Sequence, residues 1–204
     1  METAIKLFKL IALERRWWVI ILIFVGYISL LFKNEISELI PTSDPIAEQV
    51  LVSEKVNVEL AKILDYSAAD RVYIFQFHNG VEFYDGKHAQ RFTCTYEIVR
   101  EGISQEADNL VNLQVSVFSW FISQTIDGKM LYTDTQKIEN YTTRYSLHSQ
   151  GIKSIRVLPI IKKNNVIGLI GIDYVRNYNP FLSDPIAKEW FEDEARKVSE
   201  ILEG

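Results

Sequence analysis

Gly151-Ile-Lys-Ser-Ile-Arg-Val-Leu-Pro-Ile-Ile-Lys-Lys-Asn-Asn-Val-Ile-Gly-Leu-Ile-Gly-Ile-Asp173 holds two apolar runs on either side of a polar Lys-Lys-Asn-Asn turn. The β-branched content of both runs reads as strand. Asparagine tolerates the positive φ that a tight two-residue turn requires, so the stretch predicts a hairpin turning around Asn164-Asn165. The first strand is expected to end near Pro159, and the returning strand covers Val166 to Gly171.

Working outward, Asp44-Pro45 starts a helix, since Asp caps free amides and Pro suits the first turn. Val52, Val56, Leu60 and Ile63 then repeat at helical spacing, a stripe made to pack on a sheet or a partner helix. The pentapeptide Ser43-Asp-Pro-Ile-Ala47 recurs as Ser183-Asp-Pro-Ile-Ala187 and opens a second helix. Ala187, Phe191, Ala195, Val198 and Leu202 share one face of it. Shared capping chemistry explains so short a repeat better than duplication does.

Between these helices, Arg71 to His78 is nearly all apolar, the pattern of a central strand covered on both faces. Arg91 to Arg100 alternates strictly, which places Phe92, Cys94, Tyr96 and Ile98 on one side of a half-buried strand. Leu110 to Ile126 reads as a helix ended by Asp127-Gly128. Met130 to Asp134 reads as a short edge strand, and Ile138 to Gln150 as one or two irregular helical turns.

That order of elements, from about residue 45 to 202, resembles a GAF domain. The hairpin carries the likeness most clearly, with Gly151 and Ser154 before the penultimate strand and Val166-Ile-Gly-Leu-Ile-Gly171 as the last. Met130 to Asp134 corresponds to the family's strand ending in aspartate. The resemblance implies an α+β fold, a GAF-like antiparallel sheet flanked by N- and C-terminal helices. It also implies a sensory or binding module rather than an enzyme.

Trp17-Trp-Val-Ile-Ile-Leu-Ile-Phe-Val-Gly-Tyr-Ile-Ser-Leu-Leu-Phe32 is uncharged and apolar on every side, unlike the stripe of a core helix. It falls slightly short of the roughly 20 residues that cross a bilayer core. Arg15, Arg16 and Lys33 can snorkel, and the pair Trp17 and Trp18 suits one interface as Phe32 suits the other end. A cleaved signal is disfavoured by the absence of a good small-x-small site. Lys6, Lys9, Arg15 and Arg16 precede the run, whereas Lys33 follows it among Glu35, Glu38, Asp44 and Glu48. This imbalance predicts a single span of the inner membrane, N-terminus in the cytoplasm and the domain in the periplasm. The expected organisation is therefore a cytoplasmic segment 1–16, a transmembrane helix 17–32, a linker 33–44 and a globular domain 45–204.

A net charge of −5 disfavours nucleic acid as a partner. Cys94 is the only cysteine, which excludes an intramolecular disulfide. Paired His or Cys at metal-ligand spacing are absent, and Cys94 with His78 makes a poor nucleophile pair, so neither metal nor catalytic residue is assigned. The turn-rich stretch from His78-Asn79-Gly80 to His88 reads first as an elaborated hairpin loop. Its Gln76-Phe-His-Asn-Gly80 run resembles phage-encoded GAF-like proteins. By the GAF resemblance, His78, Asn79, Tyr84 and His88 stand at a pocket mouth. Tyr96, Phe118 and Trp120 are core residues first and pocket wall second. No cofactor is assigned.

Two functions remain open. One is a membrane-anchored module acting through a small-molecule or protein ligand. The other is a holin-type lysis-timing protein, since T-even phage holins resemble this layout, with a periplasmic domain that receives an antiholin. With the last helix closing at the chain's end, output is expected through a partner or through a homo-oligomer paired along 46–64 and 186–202.

Overall fold

The computed structural model describes residues 44–176 and 184–203, together with Trp18, Ile21, Leu22, Phe24 and Tyr27, which are helical and exposed. Arg15, Arg16, Trp17, Phe32 and Lys33 lie outside the described residues, and with them most of the expected span. Among the described residues, no helix is long and apolar enough to cross a membrane. The chain divides into two compact units, Met1–Glu48 and Gln49–Gly204.

The second unit is a six-stranded antiparallel sheet in the order β3-β2-β1-β6-β5-β4, covered on both faces by helices. Its strands are β1 (Arg71–Glu82), β2 (His88–Val99), β3 (Leu113–Gln114), β4 (Leu131–Tyr132), β5 (Ser154–Lys162) and β6 (Asn165–Tyr174). The helices are α1 (Pro45–Ser67), α2 (Ser119–Ile126), α3 (Tyr141–Ser149) and α4 (Pro185–Glu203). The repeated Asp-Pro-Ile-Ala does the same work twice. Asp44 Oδ1 accepts from Ile46 N at 3.0 Å and Asp184 Oδ1 from Ile186 N at 2.9 Å, each capping a helix start.

The decisive hairpin is β5–β6. Its two-residue turn is Lys163-Asn164, both at positive φ (46° and 67°), one residue earlier than the expected Asn164-Asn165. The first strand also runs on past Pro159 to Lys162.

The stripes on α1 and α4 face inward. Val56, Leu60, Ile63, Phe191 and Val198 are buried against Val72, Ile74, Ile170 and Ile172 on one face of the sheet. The stripes named for pairing between copies are thus taken up by the core, while Ile46, Val50, Leu51 and Val58 of α1 and Ile186 of α4 stay exposed. Charges in this layer are matched: Arg156 reaches Glu192 at 3.0 Å and lies 5.5 Å from the Phe191 ring centre.

Three sequence expectations need correction on the opposite face. Leu110 to Ile126 is not one helix. Leu113–Gln114 pairs instead with Arg91 and Phe92 as an edge strand, Cys94 N donates to Leu110 O at 2.9 Å, and only Ser119–Ile126 is α-helical. The open edge of β2 offers this segment hydrogen bonds that outweigh its helical periodicity. Ile138 to Gln150 is more regular than expected, because Asn140 Oδ1 caps α3 by accepting from Thr143 N at 2.9 Å.

The third correction concerns β2. Ile74 pairs with Tyr96 but Phe75 with Cys94, so Thr95 is an extra residue in a bulge. Phe92 and Cys94 face the α2–α3 layer, whereas Tyr96 and Ile98 cross to the α1–α4 layer. Strict alternation predicted one face for all four. The bulge also turns Glu97 toward α3, and this decides the composition of the site.

Candidate functional site

The sheet face beneath α2 and α3 is paved by Tyr73, Phe75, Phe92 and Leu169. Gly171 is the cross-strand partner of Tyr73, and a Cβ on it would come within 2.3 Å of the Tyr73 ring. Glycine is required there so that the ring can lie flat across β6. Above this floor, Phe118, Phe121, Leu147 and Ile152 enclose a cavity of about 50 Å³.

One end of the cavity is polar. Arg71 opens β1 and Asp173 ends the apolar part of β6, and the two are cross-strand partners. Both are almost fully buried. Arg71 donates from Nη1 to Gln150 Oε1 at 3.2 Å and from Nη2 to the Gln150 carbonyl at 2.9 Å, so the C-terminal end of α3 fixes its guanidinium. Its Nε stands 3.9 Å from Asp173 Oδ1, close enough for charge attraction but too far for a hydrogen bond. Glu97 completes the charged group. Its Oε2 accepts from the Glu106 and Ala107 amides at 2.8 and 2.9 Å.

Several buried groups here hydrogen-bond to no protein atom: Arg71 Nε, both carboxylate oxygens of Asp173, and Thr143 Oγ1. All three residues line the cavity. Buried polar atoms are nearly always paired, so a cluster of unpaired ones around one space marks a place suited to a polar guest. Burial pushes the Asp173 carboxyl up to about 7. Arg71 opposes that rise, while Glu97, Asp70 and Glu106 add to it. Burial likewise pushes the Tyr73 hydroxyl well above its ordinary range, with the Asp173 charge adding to it. Asp70, next to Arg71, goes the other way. Burial would raise it, but hydrogen bonds from Arg176 and the Val175 amide hold it below the usual carboxylate range.

No family model matches the chain, and no curated protein matches it. Solved structures do match. The PixJ GAF domain of Thermosynechococcus elongatus, in its blue-light-absorbing form, superposes with a TM-score of 0.60 at 19% identity, covering 79% of this chain and 90% of that one. The GAF domain region of a Geobacter sulfurreducens protein gives 0.59 at 13% identity, covering 79% and 99%.

The fold is that of a GAF domain. The phycocyanobilin-bound GAF domain of a cyanobacterial phytochrome is also similar, with a TM-score of 0.56 at 15% identity, covering 74% of this chain and 84% of that one. The holin-like layout gains no support from these structures.

Within this GAF-like fold, only Phe118 of the seven expected ligand residues lines the cavity. His78, Asn79, Tyr84 and His88 are exposed along the distal part of the β1–β2 hairpin, where His78 Nε2 lies 2.9 Å from Thr93 Oγ1. β1 carries them well past the covered part of the sheet, so they do not form the mouth of this cavity. Tyr96 lies on the other face, its hydroxyl 3.2 Å from Ser53 Oγ on α1. Trp120 packs beside Tyr132, ring centres 6.2 Å apart. Cys94 is buried, and burial pushes its thiol up to about 12, which disfavours the reactive thiolate. Among the described residues, no group of three or more His, Cys, Asp or Glu is placed to hold a metal ion.

The sequence reading missed Arg71, Glu97, Thr143, Gln150 and Asp173. Two of them carried a signal: an arginine and an aspartate at the ends of otherwise apolar strands are out of place unless they meet. Nothing local marked Glu97, whose inward direction depends on the bulge.

Proposed function

We propose that this chain is a non-enzymatic sensory or binding module whose GAF domain takes a small ligand into the cavity between β1, β6 and α3. The observation carrying this reading is the set of unpaired polar atoms on Arg71, Thr143 and Asp173 around an otherwise aromatic space. Pockets for drug-sized ligands run to roughly 300–1,000 Å³. A space of about 50 Å³ therefore suits a small molecule, not a tetrapyrrole. The module acts from a membrane, tethered through residues 17–32 with the domain on the periplasmic side. The apolar run and the Lys/Arg imbalance of its flanks support this tether.

Two experiments test the two halves of the reading. Thermal denaturation of the detergent-solubilised chain against a library of small metabolites should find compounds that raise the melting temperature. Phe118→Trp, which forces a larger ring into the cavity, should abolish the effect. Stabilising compounds that act equally on the variant would place binding elsewhere and sink the cavity reading. For the tether, a phosphatase joined after Gly204 should be active and a fluorescent cytoplasmic reporter at the same place dark. The reverse pattern overturns the orientation.

A further inference from the structure

The hydrogen-bonding needs of the cavity's polar end can be counted group by group. Asp173 presents two acceptor oxygens that no protein donor meets, and Arg71 Nε presents one donor that no acceptor meets. Thr143 Oγ1 can serve as either. The remaining guanidinium arms of Arg71 each give one N–H to Gln150. Glu97 adds a second carboxylate to the lining. Two acids against one base leave the lining with a formal charge of −1 when Asp173 is ionised. An anionic guest would meet two carboxylates around one guanidinium. A cationic guest with several N–H donors is complementary in charge to these carboxylates, and the rings of Tyr73, Phe75, Phe92 and Phe118 offer faces on which a planar cation can stack.

Building on the cavity-binding reading above, we infer that the ligand is a small planar nitrogen cation of the amidinium or guanidinium class. Two of its N–H groups donate to Asp173, and its flat face lies against the aromatic wall. The pairing of a planar N–H fork with a carboxylate is the geometry that makes such contacts both strong and selective. Thr143 supplies a secondary contact, and Arg71 Nε, 3.9 Å from Asp173 Oδ1, shares the carboxylate electrostatically.

Acetamidinium, acetamide and acetate share one shape and carry charges of about +1, 0 and −1 at about pH 8, which makes them a direct test. The probe is NMR of the methyl groups of Leu110, Leu113 and Leu147, which line the cavity, in the detergent-solubilised chain. Acetamidinium should shift these resonances saturably, with an affinity about tenfold or more above acetamide, and acetate should have no effect. Asp173→Asn should erase the preference for the cation. Thr143→Val, which keeps the charge, should weaken acetamidinium by roughly threefold. Acetamide or acetate binding as well as acetamidinium would overturn the cation assignment while leaving the cavity a binding site. A cation preference that survives in Asp173→Asn would also overturn it. Saturable shifts by none of the three would remove the cation assignment, and the metabolite screen then judges the cavity reading separately.

Discussion

Replacing Asp173 by asparagine should make the fold more stable at neutral and mildly alkaline pH and flatten its dependence on pH. Asp173 is fully buried, and its carboxyl is pushed from 3.8 up to about 7. The charged groups acting on it are Arg71, which favours ionisation, and Glu97, Asp70 and Glu106, which oppose it. The sign follows from proton counting. Between the ordinary carboxylate pKa and about 7 the folded chain holds a proton that the unfolded chain has released, so stability falls as pH rises through that window and levels off above it. At about 1.4 kcal/mol per pH unit, the ceiling on this loss is about 4 kcal/mol. The amide stays neutral and should recover part of it, less the cost of leaving the buried Arg71 guanidinium without its counter-charge. Chemical denaturation between about pH 4 and 8 measures the effect. Asp70 works oppositely, since its lowered carboxyl stabilises the fold above the usual carboxylate range and loses that contribution as pH falls. A wild-type curve that rises steadily from acid to neutral pH, with no gain in Asp173→Asn at pH 8, would refute the assignment of a strained carboxylate.

The second large effect is expected at Arg71. Arg71→Met keeps an apolar body of similar length but removes the only cation that lines the cavity among the described residues, and both donors to Gln150. Stripping one member from a buried charge pair costs about 3–5 kcal/mol, because the other charge is left uncompensated. The cost should be smaller near pH 5, where a proton on Asp173 relieves it. Combining Arg71→Met with Asp173→Asn should be much less harmful than the sum of the single changes. Strict additivity in that cycle would mean the two side chains act independently, and the 3.9 Å approach would then have no energetic content.

Much of this architecture was legible one segment at a time. The β5–β6 hairpin announced itself because β-branched runs and a turn tolerant of positive φ are local properties. The starts of α1 and α4 were legible for the same reason, since a cap involves only residues two or three apart. The inward stripe of α1 followed from helical period. Failures came where a segment's fate depended on a distant neighbour. Leu110 to Gln114 has helical spacing, yet a free strand edge recruits it. The loop from His78 to His88 carries eye-catching polar side chains, yet the length of β1 takes them away from the covered sheet.

The sequence by itself determined the central hairpin, the capped starts of α1 and α4 and the inward stripes of those two helices, because those depend on interactions within a turn or two of the chain. Only the tertiary structure decided the site. The strand order β2-β1-β6 makes Arg71 and Asp173 cross-strand partners. The Thr95 bulge sends Glu97 to the cavity side and Tyr96 away from it. Side chains on a strand alternate with a period of two, so one inserted residue reverses every side chain beyond it. Where that residue falls is set by pairing with β1, not by the local sequence of β2.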